Sequence, residues 1–262
     1  MAKWKITCIQ YDIAFGDPEK NYEAIEARIE RAMEDKPNIL VLPELWTTGY
    51  DLTRLGEIAE DQASRTKSFL SEMARKHGVH LVGGSTAKST PQGVFNTMLV
   101  YDREGRLCSE YDKAHLFQLM DEHLHLNTGT EKGLFELDHV RSAGVVCYDI
   151  RFPEWIRAHM SDGAEVLFVV AEWPIERLDH WRALLMARAI ENQCWVVACN
   201  RIGSDPDHDF AGHSTIIDPW GEVIAEANET DEFLTAEIDT LAVQETRGHI
   251  PVFSDRRPEL YR

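Results

Sequence analysis

The run Ile39-Leu-Val-Leu42, between Pro37-Asn38 and Pro43, constrains the fold more than any other stretch of the chain. It is apolar throughout and too short for an ordinary helix. A strand with one wet face alternates polar and apolar residues, whereas a continuous apolar run belongs to a parallel sheet covered on both faces. Parallel strands need crossover helices, and the flanking sequence supplies them. Segment 4–10 alternates like a strand. Gly16-Asp17-Pro18 then opens a helix with Asp17 as its N-cap, and Tyr22, Ile25, Ile29 and Met33 fall at three- to four-residue spacing before Pro37 ends it. A second helix is expected over 64–77, stopped by Gly78, with a strand over 79–82.

Segments 94–101 and 106–111 read as a hairpin turning at Asp102-Arg103-Glu104-Gly105. A long, mostly polar stretch, 112–133, follows; long ordered loops in compact domains tend to carry function. The second half repeats the order of the first. It has strand 141–147, helix 153–161, strand 165–170, helix 179–192 and strand 194–199, then a hairpin of 214–218 and 222–227 turning at Pro219-Trp220-Gly221. Strand 233–238, a last helix near 239–246 and a tail, 247–262, complete the chain. No Pro/Gly/Ser-rich linker divides the halves. The expectation is one α/β domain over 1–262, a four-layer α-β-β-α sandwich of two mixed sheets with helices outside.

Lys and Arg number 27 against 45 Asp and Glu, a formal charge of −18. Such a field repels nucleic acid and anionic membranes, so neither is an expected partner; a small anionic substrate stays open, because one local Arg or Lys can dominate its own pocket. Five cysteines, at 8, 108, 147, 194 and 199, form no CxxC pair, which disfavours a disulfide framework or zinc ribbon. No run of about 18 apolar residues occurs, and the first residues lead directly into a strand without a signal-peptide core, so a cytoplasmic protein is expected.

Three reactive side chains each follow an apolar strand. Glu44 lies in Leu40-Val-Leu-Pro43-Glu44-Leu-Trp46, where the proline fixes the exit from the strand; a carboxylate held at an apolar mouth suits a general base. Lys113 lies in Tyr111-Asp112-Lys113-Ala-His115-Leu-Phe117. Cys147 ends Ala143-Gly-Val-Val-Cys147 and is followed by a turn into a helix starting at Pro153-Glu154. Taken singly, each has a plainer reading: a surface glutamate, a solvated lysine, a small core hydrophobe. Together they occupy the strand ends where sites form in α/β sheets.

These motifs resemble, in order, the three catalytic motifs of the nitrilase superfamily of carbon–nitrogen hydrolases. Further similarity lies in His180-Trp181, Ala187-Arg188-Ala189-Ile190-Glu191-Asn192 and Gly212-His-Ser-Thr-Ile-Ile-Asp-Pro-Trp-Gly221, so it covers almost the whole chain. The Pro-Trp-Gly hairpin and the ending Ile250-Pro-Val-Phe253, Arg257-Pro and Leu260-Tyr261 resemble more narrowly the ω-amidase branch, which hydrolyses the terminal amide of 2-oxo acid amides.

The resemblance implies a Cys-Glu-Lys hydrolase working through a thioester, with no cofactor and no metal. Glu44 would take the thiol proton, the Lys113 ammonium would favour the thiolate, and Lys113 with the Tyr148 backbone N–H would hold the oxyanion. Glu122, in Met120-Asp121-Glu122-His123, matches the second glutamate often found between the lysine and the cysteine, although Asp121 is adjacent and the register stays open. Arg151 is expected to bind the substrate's far carboxylate, the alternative being a salt bridge to Glu154 or Asp149. Trp173 and Tyr50 follow strand ends and either line the pocket or pack as ordinary aromatics. His123 and His125 lack companions at metal-ligand spacing and read as solvated. The expected substrate is a small anionic amide, with an N-carbamoyl amino acid or another aliphatic amide as the runner-up and a catalytically inactive interaction module as the competing class. The apolar residues of the tail suggest docking at the interface of a homodimer or higher homo-oligomer.

Overall fold

A computed structural model describes residues 2–261; Met1 and Arg262, the ends of the expected domain and tail, lie outside the described residues. The first half contains β1 (Lys3–Gln10), α1 (Pro18–Ala32), β2 (Ile39–Val41), a single helical turn α2 (Leu55–Ile58), β3 (Glu60–Asp61) and α3 (Ser64–His77). The meander β4 (His80–Thr90), β5 (Gly93–Tyr101) and β6 (Leu107–Asp112) closes it. The second half begins with α4 (Glu122–His125), β7 (Leu134–Leu137), β8 (Val140–Val146), α5 (Pro153–Ser161), β9 (Val166–Ala171), α6 (Leu178–Asn192) and β10 (Trp195–Asn200). It ends with β11 (Thr215–Ile217), β12 (Val223–Glu226), β13 (Glu232–Asp239), α7 (Leu241–His249) and α8 (Val252–Asp255).

Two mixed sheets result, as the sequence predicts. One has the order β13-β1-β2-β4-β5-β6 with β3 beside β4; the other runs β12-β11-β10-β9-β8-β7. Strands β1, β2 and β4 are mutually parallel, as are β8, β9 and β10, and hairpin strands extend each sheet antiparallel. Side-chain alternation makes the layers. Ile6, Cys8, Ile39, Val41 and Val82 join the core shared with the second sheet, while Ile9, Leu40, Leu42 and Leu81 pack against Tyr22, Ile25 and Ile29 of α1 and Leu70, Met73 and Ala74 of α3. The second sheet packs with Ile156 and Met160 of α5 and Trp181, Leu185 and Ala189 of α6. Each fully buried aliphatic contributes about 1.5–3 kcal/mol, so a one-residue slip of β2, exchanging its faces, is strongly disfavoured.

The helix signals act as read. The Asp17 side chain accepts from the Lys20 N–H at 3.2 Å, and α3 stops at Gly78, whose φ is +62°. Two differences matter. The strand expected over 79–82 continues to Thr90 through Gly83-Gly84, which form a bulge with a register shift between Val82 and Ser85. Gly84 has φ +62°, and a Cβ there would lie 2.1 Å from the Pro43 carbonyl oxygen, so only glycine lets the chain after β2 come this close. Strand β7 is not anticipated; it pairs with β8 through a tight turn at Asp138-His139, both at positive φ. In the tail, Phe253 is half-buried beneath the Arg157 and Arg247 guanidinium groups at 5.0 and 4.5 Å, and Gln193 Nε2 donates to the Ile250 carbonyl at 2.7 Å. No described helix is long and apolar enough to cross a membrane.

Candidate active site

The bulge in β4 fixes Glu44. Ser85 Oγ accepts from the Leu45 N–H at 2.9 Å, the Ser85 carbonyl accepts from the Trp46 N–H at 3.1 Å, and Trp46 Nε1 donates to the Gly83 carbonyl at 2.8 Å. Held this way, the Glu44 carboxylate is fully buried. Its Oε1 accepts from Lys113 Nζ and Asn96 Nδ2, both at 2.8 Å, and from the Tyr50 hydroxyl at 3.2 Å. Its Oε2 accepts from the Glu172 backbone N–H at 2.8 Å.

Lys113 follows β6 and is clamped by its backbone, its N–H donating to the Asn96 carbonyl and its carbonyl accepting from the Gly129 N–H, both at 2.9 Å. Its ammonium donates to Glu44 and, at 2.6 Å, to Glu122 Oε1. Glu122 is buried and Asp121 exposed, so Glu122 is the acid beside Lys113. Glu122 Oε1 also accepts from the Tyr50 hydroxyl, and its Oε2 accepts from the Phe117 N–H at 2.7 Å. The long polar stretch is therefore ordered around one buried cation. Burial alone would lower the Lys113 pKa, but the Glu122 and Glu44 carboxylates outweigh it and hold the group well above its usual range. The ammonium persists, with two of its three N–H groups engaged among the described residues.

Cys147 lies just past β8 with φ +45°, a left-handed conformation uncommon for a residue with a Cβ. Asp149 holds this turn: its Oδ2 accepts from the Val146 N–H at 3.0 Å and the Tyr111 hydroxyl at 2.8 Å, and its Oδ1 accepts from the His115 N–H at 3.0 Å. The Glu44, Lys113 and Glu122 charges all act on the sulfur. Burial first, then the Glu44 charge, push the thiol pKa well up, and the Lys113 charge only partly opposes them. Lys113 acts in the expected direction, favouring the thiolate, but burial and the Glu44 charge outweigh it. The resting sulfur keeps its proton, which must leave as the sulfur attacks.

Beside Cys147 a narrow cleft is lined by Phe117, Tyr148, Arg151, Glu172, Trp173 and Arg177. The Arg151 guanidinium lies 4.7 Å over the Trp173 ring and 3.3–3.4 Å from His180 Nδ1. Neither Glu154 nor Asp149 pairs with it, and it has no carboxylate partner among the described residues. Trp173 is fixed by its N–H to Asn200 Oδ1 at 2.7 Å and its Nε1 to the Arg177 carbonyl at 2.8 Å, so it forms a pocket wall. Tyr50 is not among the residues lining this cleft; its hydroxyl lies between Glu44 and Glu122, behind Lys113. His123 is exposed and His125 half-buried, and no group of described residues is arranged to hold a metal ion.

Sequence reasoning missed Asn96, Asp149 and Glu172. Glu172 had a usable signal, for it directly follows the apolar run of β9, as Glu44 follows β2. It is fully buried and pairs with Arg201 Nη1 at 2.8 Å; burial, only partly opposed by Arg201, pushes its carboxyl up to about 8.

The carbon–nitrogen hydrolase family model matches residues 5–248. A 2-oxoglutaramate amidase of Bacillus subtilis is 56% identical over 259 residues, covering 99% of this chain and 100% of the relative. Among solved structures, a carbon–nitrogen hydrolase superfamily protein from Xanthomonas campestris, with an arsenic adduct in its active site, superposes with a TM-score of 0.92 at 32% identity, over 98% of each chain. An amidase from Nesterenkonia sp. AN1, captured with acrylamide added to its active-site cysteine, gives 0.88 at 25% identity over 98% of each chain.

Proposed function

This chain belongs to the carbon–nitrogen hydrolase family, within the nitrilase superfamily, and from that premise we propose that Cys147, Glu44, Lys113 and Glu122 form a site hydrolysing the terminal amide of 2-oxo acid amides such as 2-oxoglutaramate. It is a cysteine amidohydrolase. Glu44 Oε1 or Oε2 accepts the thiol proton as the sulfur attacks the amide carbon, and the C=O electron pair moves onto oxygen. The third Lys113 N–H and the Tyr148 backbone N–H hold that oxyanion. Glu44 returns the proton to nitrogen, the C–N bond breaks, and ammonia leaves a thioester on Cys147. Water, giving its proton to Glu44, adds to the thioester; the C–S bond breaks, the sulfur regains a proton and the acid departs. Glu122 keeps the ammonium in place throughout.

The observation that carries the specificity is Arg151, a cation in the Cys147 cleft without an acidic partner among the described residues. It matches a substrate carboxylate, and the Trp173 face beneath it fixes the plane of the fork. Steady-state rates with 2-oxoglutaramate, succinamate, N-carbamoyl-β-alanine, an uncharged amide and a simple nitrile test the reading. The 2-oxo acid amide should lead, and R151M should cut its kcat/KM by roughly 10- to 100-fold, the value of a charge-assisted hydrogen bond. A preference for the uncharged amide would sink it.

We also read residues 1–262 as one cytoplasmic catalytic unit that forms a homodimer with the tail 247–262 at the interface; Ile250, Leu260 and Tyr261 are exposed on the single chain and fit that role. Sedimentation of the full chain as a monomer would discard it. The charge of −18 supports a small substrate rather than nucleic acid or an anionic membrane as partner.

A further inference from the structure

One buried oxygen of a residue that lines the Cys147 cleft has no use in the mechanism above. Glu172 is fully buried, and its backbone N–H donates to Glu44 Oε2, so the residue sits against the proposed general base. Its Oε2 accepts from Arg201 Nη1 at 2.8 Å, but its Oε1 is buried without a hydrogen-bond partner among the described residues, in a side chain that lines the cleft with Cys147 and Arg151. An oxygen left unpaired in a dry interior is unfavourable unless a ligand supplies the partner. We propose that Glu172 is a substrate-contacting acid whose Oε1, as a neutral carboxyl O–H, donates a hydrogen bond to the 2-oxo oxygen of the substrate and so selects 2-oxo over 2-amino and unsubstituted acid amides. This rests on the amidase reading given above.

The protonation state follows from the surroundings. Arg201, in the segment after β10, favours the ionised form, yet its charge is shared with Asp12, to which Nη2 donates at 2.8 Å. Glu44, after β2, and Asp205 oppose ionisation, and the Tyr11 hydroxyl, after β1, is buried and itself unpartnered. The carboxyl, at about 8, carries its proton at neutral pH. Because Oε2 already faces an arginine donor, that proton belongs on Oε1. Beyond its amide, a 2-oxo acid amide offers only acceptors: carboxylate oxygens, which match Arg151, and the 2-oxo oxygen, which matches an O–H. A 2-ammonium group would bring donors against a donor.

The test compares 2-oxoglutaramate with glutaramate, the same chain without the 2-oxo oxygen, on the full-length wild type, E172A and E172Q. The readout is the ratio of their kcat/KM values, which a general loss of structure leaves unmoved. In E172Q the amide oxygen still accepts from Arg201, and the NH₂ provides a donor where the O–H stood. E172A should lower the wild-type ratio by roughly 10- to 100-fold, while E172Q should keep it within about threefold. A collapse of the ratio in E172Q would overturn the inference, and this holds even if E172A does not fold. Equal losses on both substrates in E172A, with the wild-type preference intact, would overturn the inference and leave the amidase reading standing. A wild type with no preference for the 2-oxo compound would overturn the inference together with the 2-oxo part of that reading.

Discussion

Two polar clusters meet in this molecule where the Glu172 N–H donates to Glu44, the first wholly buried and the second reaching the surface at Asp12, and they are complementary in what they leave unused. In the Glu44–Lys113–Glu122 cluster every carboxylate oxygen has a donor, and one ammonium N–H remains over. In the Glu172–Arg201–Asp12 cluster the guanidinium spends four of its five N–H groups, on Glu172, Asp12 and the Ile13 and Ile202 carbonyls, and one carboxyl oxygen remains over. The cation type sets the difference. A lysine is a compact point charge able to pass one N–H to a developing oxyanion, whereas an arginine fork is committed to fixed partners and serves as a brace. On the proposed mechanism, burial by itself does not make a charge catalytic; the donor or oxygen left unspent does.

The sharpest way to break this contrast is K113M, which keeps the volume and removes the ammonium. Turnover should fall by about 10³-fold or more, because both the oxyanion donor and the cation between two carboxylates are lost. Ammonia release by variant that remains folded measures it, and retention of a tenth of the wild-type kcat would end the assignment. R201M should instead damage the scaffold. Urea unfolding should report a loss of about 1–3 kcal/mol for leaving the Glu172 oxygen and the Ile13 and Ile202 carbonyls without their donor, while kcat of the folded fraction falls far less than in K113M. Equal kcat losses in the two variants would erase the distinction. The smallest effect lies in the pH dependence of stability. The Glu172 carboxyl rises from its ordinary 4.5 to about 8 on folding, so within that window the native state holds a proton that the unfolded chain releases. Its contribution therefore falls as pH rises from about 4.5 to 8, by about 1.4 kcal/mol per pH unit, and is gone from the slope outside the window. E172Q should flatten this part of the curve in unfolding measured at pH 6 and pH 8; an unchanged slope would mean that Glu172 is ionised throughout.

The layers and the three reactive side chains were legible because each rests on a local pattern. Ile39–Val41 and the other apolar runs announce buried strands, and Glu44, Lys113 and Cys147 each stand directly after one. Glu122 was legible only through resemblance, since the Asp121-Glu122 pair leaves its register open until the turn ending at Asp121 buries one acid and exposes the other. What stayed hidden depends on partners remote in sequence. Asp149 looks like a turn residue until Val146, Tyr111 and His115 are seen to converge on it. Asn96 sits inside a strand, where a polar residue reads as solvent-facing, yet its amide points at Glu44. Gly83-Gly84 resembles a strand end because the same residues serve turns and bulges, and Asp138-His139 makes a tight turn without the glycine that would announce one. The pull of Lys113 on Cys147 was legible in direction, but not the burial that outweighs it, because a sequence does not show how dry the sulfur is.

The pairing of β13 with β1 bears on how the chain is made. All eight residues of β1, Lys3 to Gln10, lie opposite residues Asp239 to Glu232, and Thr7 Oγ1 meets Thr235 Oγ1 at 2.8 Å. A chain growing from its N-terminus finishes β1 more than two hundred residues before its neighbour exists. At about 5–20 residues per second, that edge of backbone N–H and C=O groups waits roughly 10–45 s for its partner during synthesis. Strand β1 is thus sealed on this side only after more than two hundred further residues, and until β13 emerges the nascent protein carries an open strand edge, the kind of surface that chaperones shield.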